Sequence, residues 1–147
     1  MQSKLLSRSE RERVFAVILE TGDEVMGCLK EFAARESLSA AQLTGIGAFS
    51  GAVLNYFDWE TKNYLDIPVN EQVEVASLVG DVALSPEGKP ALHIHLVLGK
   101  RDGTALAGHL AKGFVRPTLE VILTESPEHL RRVHDPETGL GLIRIKA

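Results

Sequence analysis

The stretch Leu92-His93-Ile94-His95-Leu96-Val97-Leu98 alternates apolar and polar side chains over most of its length. Successive side chains of a β-strand point to opposite faces, so His93 and His95 share one face while the leucines and Ile94 share the other. The stretch therefore predicts a half-buried strand whose exposed face carries two imidazoles. Two imidazoles at this spacing can bind a single metal ion.

A third histidine, His109, follows in the next apolar segment, Gly108-His109-Leu110. Three neutral imidazoles with one open coordination position form a zinc site of the catalytic type. A histidine on a hydrated strand surface is also an ordinary polar residue that needs no metal. The pattern leaves both interpretations open.

The N-terminal part of the chain predicts one strand and the principal helix. Positions 14–19 form a continuous apolar run that ends at a turn. Thr21 and Glu24 have the spacing of a capping box, and apolar residues then recur at helical spacing as far as Glu36. We therefore predict an amphipathic helix from about Glu24 to Glu36.

The pattern changes to that of strands after the helix. Turn sequences at 86–89 and 100–103 predict a meander from Val82 to His109, which places His95 and His109 on neighbouring strands or at a strand end. The sequence thus predicts an α/β fold of the α+β type, with a mainly antiparallel sheet and one principal helix. The predicted strands are 42–46, 52–57, 64–69, 73–84, 91–98, 104–110, 118–123 and 142–146.

A glycine-rich segment, Gly45-Ile46-Gly47-Ala48-Phe49-Ser50-Gly51, superficially resembles a dinucleotide-binding fingerprint. That fingerprint lies between a strand and a helix, whereas this segment is followed by a strand pattern, and its glycine spacing is one residue too long. We interpret the glycines as a bend or bulge that permits close approach of another backbone.

An acidic residue, Glu120, interrupts the otherwise apolar strand 117–123. A buried carboxylate needs a partner. The partner is either a metal-centre group (the ion, its bound water or a histidine N–H) or an arginine such as Arg116, and an acid on the outer face of a strand is also ordinary.

Half of the aromatic side chains lie in or next to a predicted hairpin at 58–63. Cross-strand aromatic pairs that cover the sheet are favoured over a ligand cleft or a subunit contact. These aromatic residues are Tyr56, Phe57, Trp59 and Tyr64.

Length and composition limit the classes of protein. The 147 residues suit a single domain, and 44% hydrophobic with 24% charged residues is the balance of a folded protein. The N-terminus lacks the apolar region of a secretory signal, and no stretch reaches the length of a membrane span, so we expect a cytoplasmic protein without a membrane partner. The single cysteine excludes an internal disulfide, and the net charge of −4 disfavours direct DNA binding.

The order and spacing of several motifs resemble the plants and prokaryotes conserved (PPC) domain, in the stand-alone prokaryotic form that has no AT-hook. The resemblance covers about residues 10–125, so that residues 1–147 are interpreted as one PPC domain ending in the strand 142–146. The motifs are Gly22-Asp23-Glu24-Val25, Gly45-Ile46-Gly47-Ala48, Val73 to Gly80, His93-Ile94-His95-Leu96, Arg101-Asp102-Gly103, Gly108-His109-Leu110 and Thr118-Leu119-Glu120-Val121.

The resemblance implies a homotrimer and a family description as DNA-binding, by analogy with plant members that carry an AT-hook. It also implies a metal, usually zinc, at His93, His95 and His109, to which we add Glu120 as a fourth ligand or as a hydrogen-bonding group behind a ligand. The expected partners are other copies of the chain and either DNA or a transcription-related protein. A zinc-dependent enzyme acting on a small molecule is the alternative, with Glu120 as the group that transfers the proton.

Overall fold

The computed structural model describes residues 1–145, and Lys146 of the predicted last strand lies outside them. Nine strands and one helix confirm the predicted α+β architecture. In chain order the elements are β1 (Gln2–Arg8), β2 (Arg13–Glu20), α1 (Val25–Arg35), β3 (Ala40–Asp58), β4 (Asn63–Val69), β5 (Val73–Leu84), β6 (Pro90–Gly99), β7 (Ala105–Glu125), β8 (Arg132–His134) and β9 (Gly141–Ile143).

Seven strands form one antiparallel sheet in the order β1-β2-β7-β6-β5-β3-β4. An additional pairing between β7 and β3 closes β3, β5, β6 and β7 into a ring of paired strands. The predicted meander from Val82 to His109 is confirmed, because β5, β6 and β7 are consecutive neighbours. Strands β8 and β9 form a separate C-terminal hairpin.

The helix α1 closely matches the prediction, but its N-terminal cap differs. Glu24 is the cap residue itself, and its carboxylate accepts hydrogen bonds from the backbone N–H groups of Met26 (3.1 Å) and Gly27 (2.7 Å). The predicted capping box that begins at Thr21 is therefore wrong. The Thr21 hydroxyl instead donates to the carbonyl oxygen of Pro117, which ties the turn to β7.

The hydrophobic core lies between α1 and one face of the sheet, with α1 packed against β7 and β6. Phe32 of α1 meets Phe15 of β2 edge to face, with ring centroids 5.3 Å apart. The apolar side chains that alternate with the histidines on β6, Ile94, Leu96 and Leu98, are all buried. The histidine-bearing face of β6 is therefore the face directed away from the core.

Two strands are longer than predicted, since 42–46 and 52–57 belong to the single strand β3, and 104–110 and 118–123 to the single strand β7. The glycine segment forms the predicted bulges, where the register of β3 shifts against β5 and β7. A Cβ atom on Gly47 would lie 2.7 Å from the Cα of Leu119, so the backbones of β3 and β7 approach closely at this glycine, as predicted. Strands β1 and β8 were not predicted.

A buried ion pair connects the far end of β7 to β2. The Arg13 Nε donates to the Glu125 carboxylate at 2.6 Å, and the backbone N–H of Ser39 donates to its other oxygen at 3.2 Å. Glu125 is 7% exposed, so both of its oxygens need these partners. Within residues 1–145, no helix has the length and hydrophobicity needed to cross a membrane.

Candidate metal centre

Strand β6 places His93 and His95 side by side on its outer face. Their Nε2 atoms lie 3.1 Å apart. Two nitrogens bound to one tetrahedral zinc, each at about 2.0–2.1 Å from the ion, would lie roughly 3.3 Å apart. The spacing of the two imidazoles therefore fits a shared ion, and it also fits a hydrogen bond from one ring to the other.

The third histidine comes from β7. His109 lies opposite His95 in the β6–β7 register and opposite Asn55 in the β3–β7 register. The backbone of β7 is therefore paired with a strand on each side at this position. Its ring centroid is 5.1 Å from that of His93 and 5.4 Å from that of His95. One nitrogen from each of the three rings lies within 4.8 Å of the other two.

Burial and the proximity of other cationic groups lower the pKa values of His95 and His109. Burial lowers the pKa of His109 to about 4, and the positive charges of His93, His95 and Arg132 contribute to the same shift. Burial, followed by the proximity of His93, also lowers the pKa of His95. Both rings are therefore neutral at pH 7 and keep a nitrogen lone pair, which is the form that binds metals.

His109 also carries a polar atom that lacks a partner. Its Nδ1 is buried and has no hydrogen-bond partner among the described residues. A buried nitrogen without a partner is costly in a folded protein and calls for an explanation, for which an ion or water at the site is the usual one. The three residues thus fit a metal by their chemistry and by their spacing.

The predicted aromatic hairpin borders this centre. Phe57 and Tyr64 are cross-strand partners on β3 and β4, with ring centroids 5.3 Å apart, which confirms the predicted aromatic pairing. Tyr64 lies in turn 5.2 Å from the His109 ring. The β3–β4 hairpin therefore places an aromatic ring against one side of the histidine cluster, in addition to the aromatic pair that covers the sheet.

Two charged residues near the histidines were missed by the sequence analysis. Asp81 of β5 is the cross-strand partner of His93, and its Oδ2 lies 3.8 Å from His93 Nδ1. Arg132 of β8 donates a hydrogen bond to the other oxygen of Asp81, and its second amino group donates to the Gly141 carbonyl oxygen at 3.2 Å. An acid inside the predicted strand 73–84 was a weak signal for Asp81, and Arg132 gave none.

Glu120 is not part of the cluster. It is exposed at the opposite end of β7, where it lies opposite Ile18 on β2 and Ile46 on β3. At a rise of about 3.3 Å per residue, positions 109 and 120 are roughly 35 Å apart along the strand. Within one chain, the structure therefore does not bring Glu120 to the histidines as a fourth ligand or as a group that hydrogen-bonds a ligand.

A cavity of about 500 Å³ adjoins the cluster. His93, His109, Tyr64 and Arg132 form part of its wall, and Leu142 of the C-terminal hairpin is among its apolar lining residues. The cavity is large enough for a small organic molecule. It lies between the sheet and the hairpin β8–β9, so the hairpin helps to enclose one side of the site.

Comparison with known proteins relates the fold and the site to one family. Residues 6–127 match the sequence profile of the Plants and Prokaryotes Conserved (PCC) domain. A plant- and prokaryote-conserved (PPC) protein of Pyrococcus horikoshii is 31% identical, with a TM-score of 0.85 over 94% of this chain and 95% of that one. A metal-containing protein of Archaeoglobus fulgidus is 32% identical, with a TM-score of 0.82 over 98% of this chain and 97% of that one.

A further relative with a solved structure is a candidate DNA-binding protein of Bacteroides thetaiotaomicron, which is 26% identical with a TM-score of 0.84 over 94% of each chain. Among curated proteins, the bifunctional protein GlmU of a Synechococcus strain is 33% identical over 137 residues. That match covers 91% of this chain and 21% of the relative, so the chain spans about a fifth of that protein's length.

Proposed function

Because the chain belongs to the Plants and Prokaryotes Conserved (PCC) domain family, which is the PPC family of its solved relatives, we propose that it binds zinc through His93, His95 and His109. The observation that carries the proposal is the convergence of three imidazoles from β6 and β7, with two Nε2 atoms 3.1 Å apart. The Archaeoglobus relative, described as metal-containing, supports the assignment.

The donor set favours zinc over the common hard cations. Magnesium and calcium take oxygen ligands, whereas this cluster offers three imidazole nitrogens. Three protein nitrogens leave the fourth tetrahedral position of zinc open to water or to a ligand. Copper and nickel also bind imidazole, so the experiment must identify the metal as well as count it.

A zinc-dependent enzyme acting on a small molecule is the alternative function, and the cavity of about 500 Å³ beside His93 and His109 is the observation that favours it. When bound at such a site, zinc acts as a Lewis acid and lowers the pKa of coordinated water. The three histidines would hold the ion, and Tyr64, which lies against the His109 ring, would shield that side of the metal site from solvent.

We also propose that the protein is a homotrimer. Support comes from exposed apolar side chains on the outer face of the sheet, where Ile46 is 61%, Val79 50% and Ile122 43% exposed. These three residues line one shallow groove across β3, β5 and β7. The groove also contains the Glu120 carboxylate. A cluster of exposed apolar side chains is typical of a surface that another chain covers, and other copies of this chain are the occupant we propose.

A regulatory role is the second candidate function, since the Bacteroides relative and a Ralstonia eutropha relative are both described as candidate DNA-binding proteins. The net charge of −4 argues against contact with the phosphate backbone by this chain alone. We therefore propose that any effect on transcription passes through a protein partner in the cytoplasm.

Elemental analysis tests the primary proposal. Protein purified without a nickel column and without chelators is measured for zinc, copper, nickel, iron and manganese by mass spectrometry. We expect about one zinc per chain, the stoichiometry of a single three-histidine site. Protein that contains no zinc, and that binds none after dialysis against zinc followed by removal of the free metal, would overturn the proposal.

A further inference from the structure

The structure assigns Asp81 as a positioning residue for His93, with Arg132 acting on the site through Asp81. The inference rests on the proposed zinc site and goes beyond it. It concerns a carboxylate and a guanidinium that the ligand pattern itself does not include. Arg132 also lies beyond residues 6–127, the part of the chain that matches the family profile.

The first argument is the orientation of the His93 ring. Its Nε2 faces His95 Nε2 at 3.1 Å, while its Nδ1 faces the Asp81 carboxylate at 3.8 Å. A carboxylate beside Nδ1 favours the tautomer with the proton on that nitrogen, which leaves the Nε2 lone pair free for a metal. Ligating histidines commonly donate their second ring N–H to a carboxylate in this way.

The distance of 3.8 Å is longer than a hydrogen bond, so the contact in this structure is electrostatic. A change of about 1 Å would close it, and a small rotation of the His93 ring about its broad terminal torsion can supply that movement while Arg132 holds the carboxylate in place. The cross-strand register keeps the two residues opposite each other on β5 and β6. The sheet register therefore determines that Asp81 and His93 are neighbours, and the side-chain torsions determine the distance between the carboxylate and the ring nitrogen.

The second argument is that Arg132 orients the carboxylate. It donates to Asp81 Oδ1, while the other oxygen, Oδ2, faces His93. The Arg132 side chain is 11% exposed, and its second hydrogen bond, to Gly141, anchors it within the C-terminal hairpin. Because one amino group of the guanidinium is held by Gly141 and the other by Asp81, Arg132 restricts the rotation of the Asp81 carboxylate. One carboxylate oxygen therefore stays directed at His93.

A purely structural role is the competing explanation, in which the Asp81–Arg132 pair only fastens the hairpin to the sheet. Another ion pair in the same segment provides a matched control. Arg144 contacts Asp135 Oδ1 at 3.0 Å and does not line the cavity beside the histidines. Arg144→Gln therefore removes an arginine–aspartate pair from the segment without touching Asp81.

Zinc affinity is the first measurement, made by competition with a chromophoric chelator on wild type, Asp81→Asn, Arg132→Gln, their double variant and Arg144→Gln. We expect Asp81→Asn to weaken zinc binding by roughly 10–100-fold, as is typical for loss of a carboxylate behind a ligating histidine. Arg132→Gln should weaken binding less and add nothing in the Asp81→Asn background. Equal affinities for wild type and Asp81→Asn, or equal losses in Asp81→Asn and Arg144→Gln, would overturn the assignment.

The tautomer of His93 is the second measurement, and it needs no metal. In ¹⁵N-histidine spectra of the metal-free protein, we expect His93 to be protonated at Nδ1 in wild type and to shift toward the Nε2 tautomer in Asp81→Asn. An unchanged tautomer contradicts the inference even if zinc binds. A tautomer that shifts in a protein that takes up no zinc supports the inference and overturns the proposed zinc site instead.

Folding of the variants is checked by thermal unfolding of the metal-free proteins. If Asp81→Asn does not fold, Arg132→Gln decides the matter with the same two readouts, because it leaves the carboxylate in place. Weaker zinc binding together with a reduced Nδ1 tautomer supports the assignment. An unchanged affinity and tautomer in a folded Arg132→Gln protein contradict it.

Discussion

His95 on β6 and His109 on β7 are direct cross-strand partners, and their rings stand perpendicular with centroids 5.4 Å apart. Their position depends on the burial of Leu96 and Leu98 on the opposite face of β6. A one-residue slip of the strand would turn the histidines into the core and the leucines into solvent. The hydrophobic core therefore fixes the register that brings the imidazoles together.

Loss of one ligand should abolish tight zinc binding. We expect His109→Ala to lower zinc affinity by at least about 100-fold, since it removes a ligand that is neutral at pH 7 and leaves only two nitrogens. Chelator competition measures the effect, and His134→Ala, which alters an exposed histidine on β8, is the control. Equal zinc affinities in the two variants would show that the ion binds elsewhere.

Zinc should also stabilise the fold, because its ligands come from two strands that converge only in the native state. At a free zinc concentration 100 times the dissociation constant, the free energy of unfolding should rise by about 2.7 kcal/mol. For a domain of this size, that is a shift in Tm of roughly 5–10 °C. Differential scanning calorimetry with zinc and with EDTA measures it, and an unchanged Tm in wild type would contradict a site that spans β6 and β7.

The histidine cluster could be predicted because its signals are local. The alternation of residues 92–98 specifies a strand with two outward imidazoles, and the two turn sequences specify the antiparallel order that brings His109 beside His95. Asp81 and Arg132 could not be found in the same way. Their positions depend on the exact register of β5 against β6 and on the docking of a distant hairpin.

The differences between the sequence predictions and the structure also arise from pairing between distant parts of the chain. Glu120 was assigned to the site because an acid in an apolar strand suggests a buried partner, but β7 is long enough to carry it to an exposed position far from His109. Strands β3 and β7 were divided because Gly and Pro usually end strands, whereas here bulges bend them and pairing continues. Strand β1 is exposed throughout, so it lacks the alternation that predicts a strand, and it is defined by its pairing with β2.

The bulge at Gly47 should be intolerant of a side chain. A Cβ atom there would overlap the Thr118 carbonyl oxygen and come within 2.7 Å of Leu119 Cα, both of which are backbone positions. We expect Gly47→Ala to lower the free energy of unfolding by about 2 kcal/mol or more. Denaturant unfolding measures this loss, with Gly99→Ala as the control because the nearest atom there is 3.8 Å away. Equal stability of the two variants would show that β7 can move away from β3 at little cost.

The proposed trimer should depend on the apolar groove of the outer sheet face. Ile46→Glu places a charge at a position that is 61% exposed in one chain, so the change should be tolerated by the monomer and should disrupt an interface built on this face. Light scattering coupled to size-exclusion chromatography should show a trimer for wild type and a monomer for the variant. Leu6→Glu on β1, 51% exposed, is the control, and a wild-type monomer or a trimeric Ile46→Glu protein contradicts this interface.

Direct DNA binding should be weak or absent. The chain has 16 basic and 20 acidic residues, and neutralisation of phosphates by a basic face supplies most non-specific affinity for DNA. We expect no retardation of a duplex by about 10 μM protein at low salt, where the electrostatic term is strongest. Retardation that weakens as salt increases would instead reveal a local basic face. In that case, charge reversal at Lys100 and Arg101, a basic pair at the β6–β7 turn, would test whether that turn contacts phosphate. If the wild-type protein does not shift the duplex, we expect any link between this chain and transcription to require a partner protein.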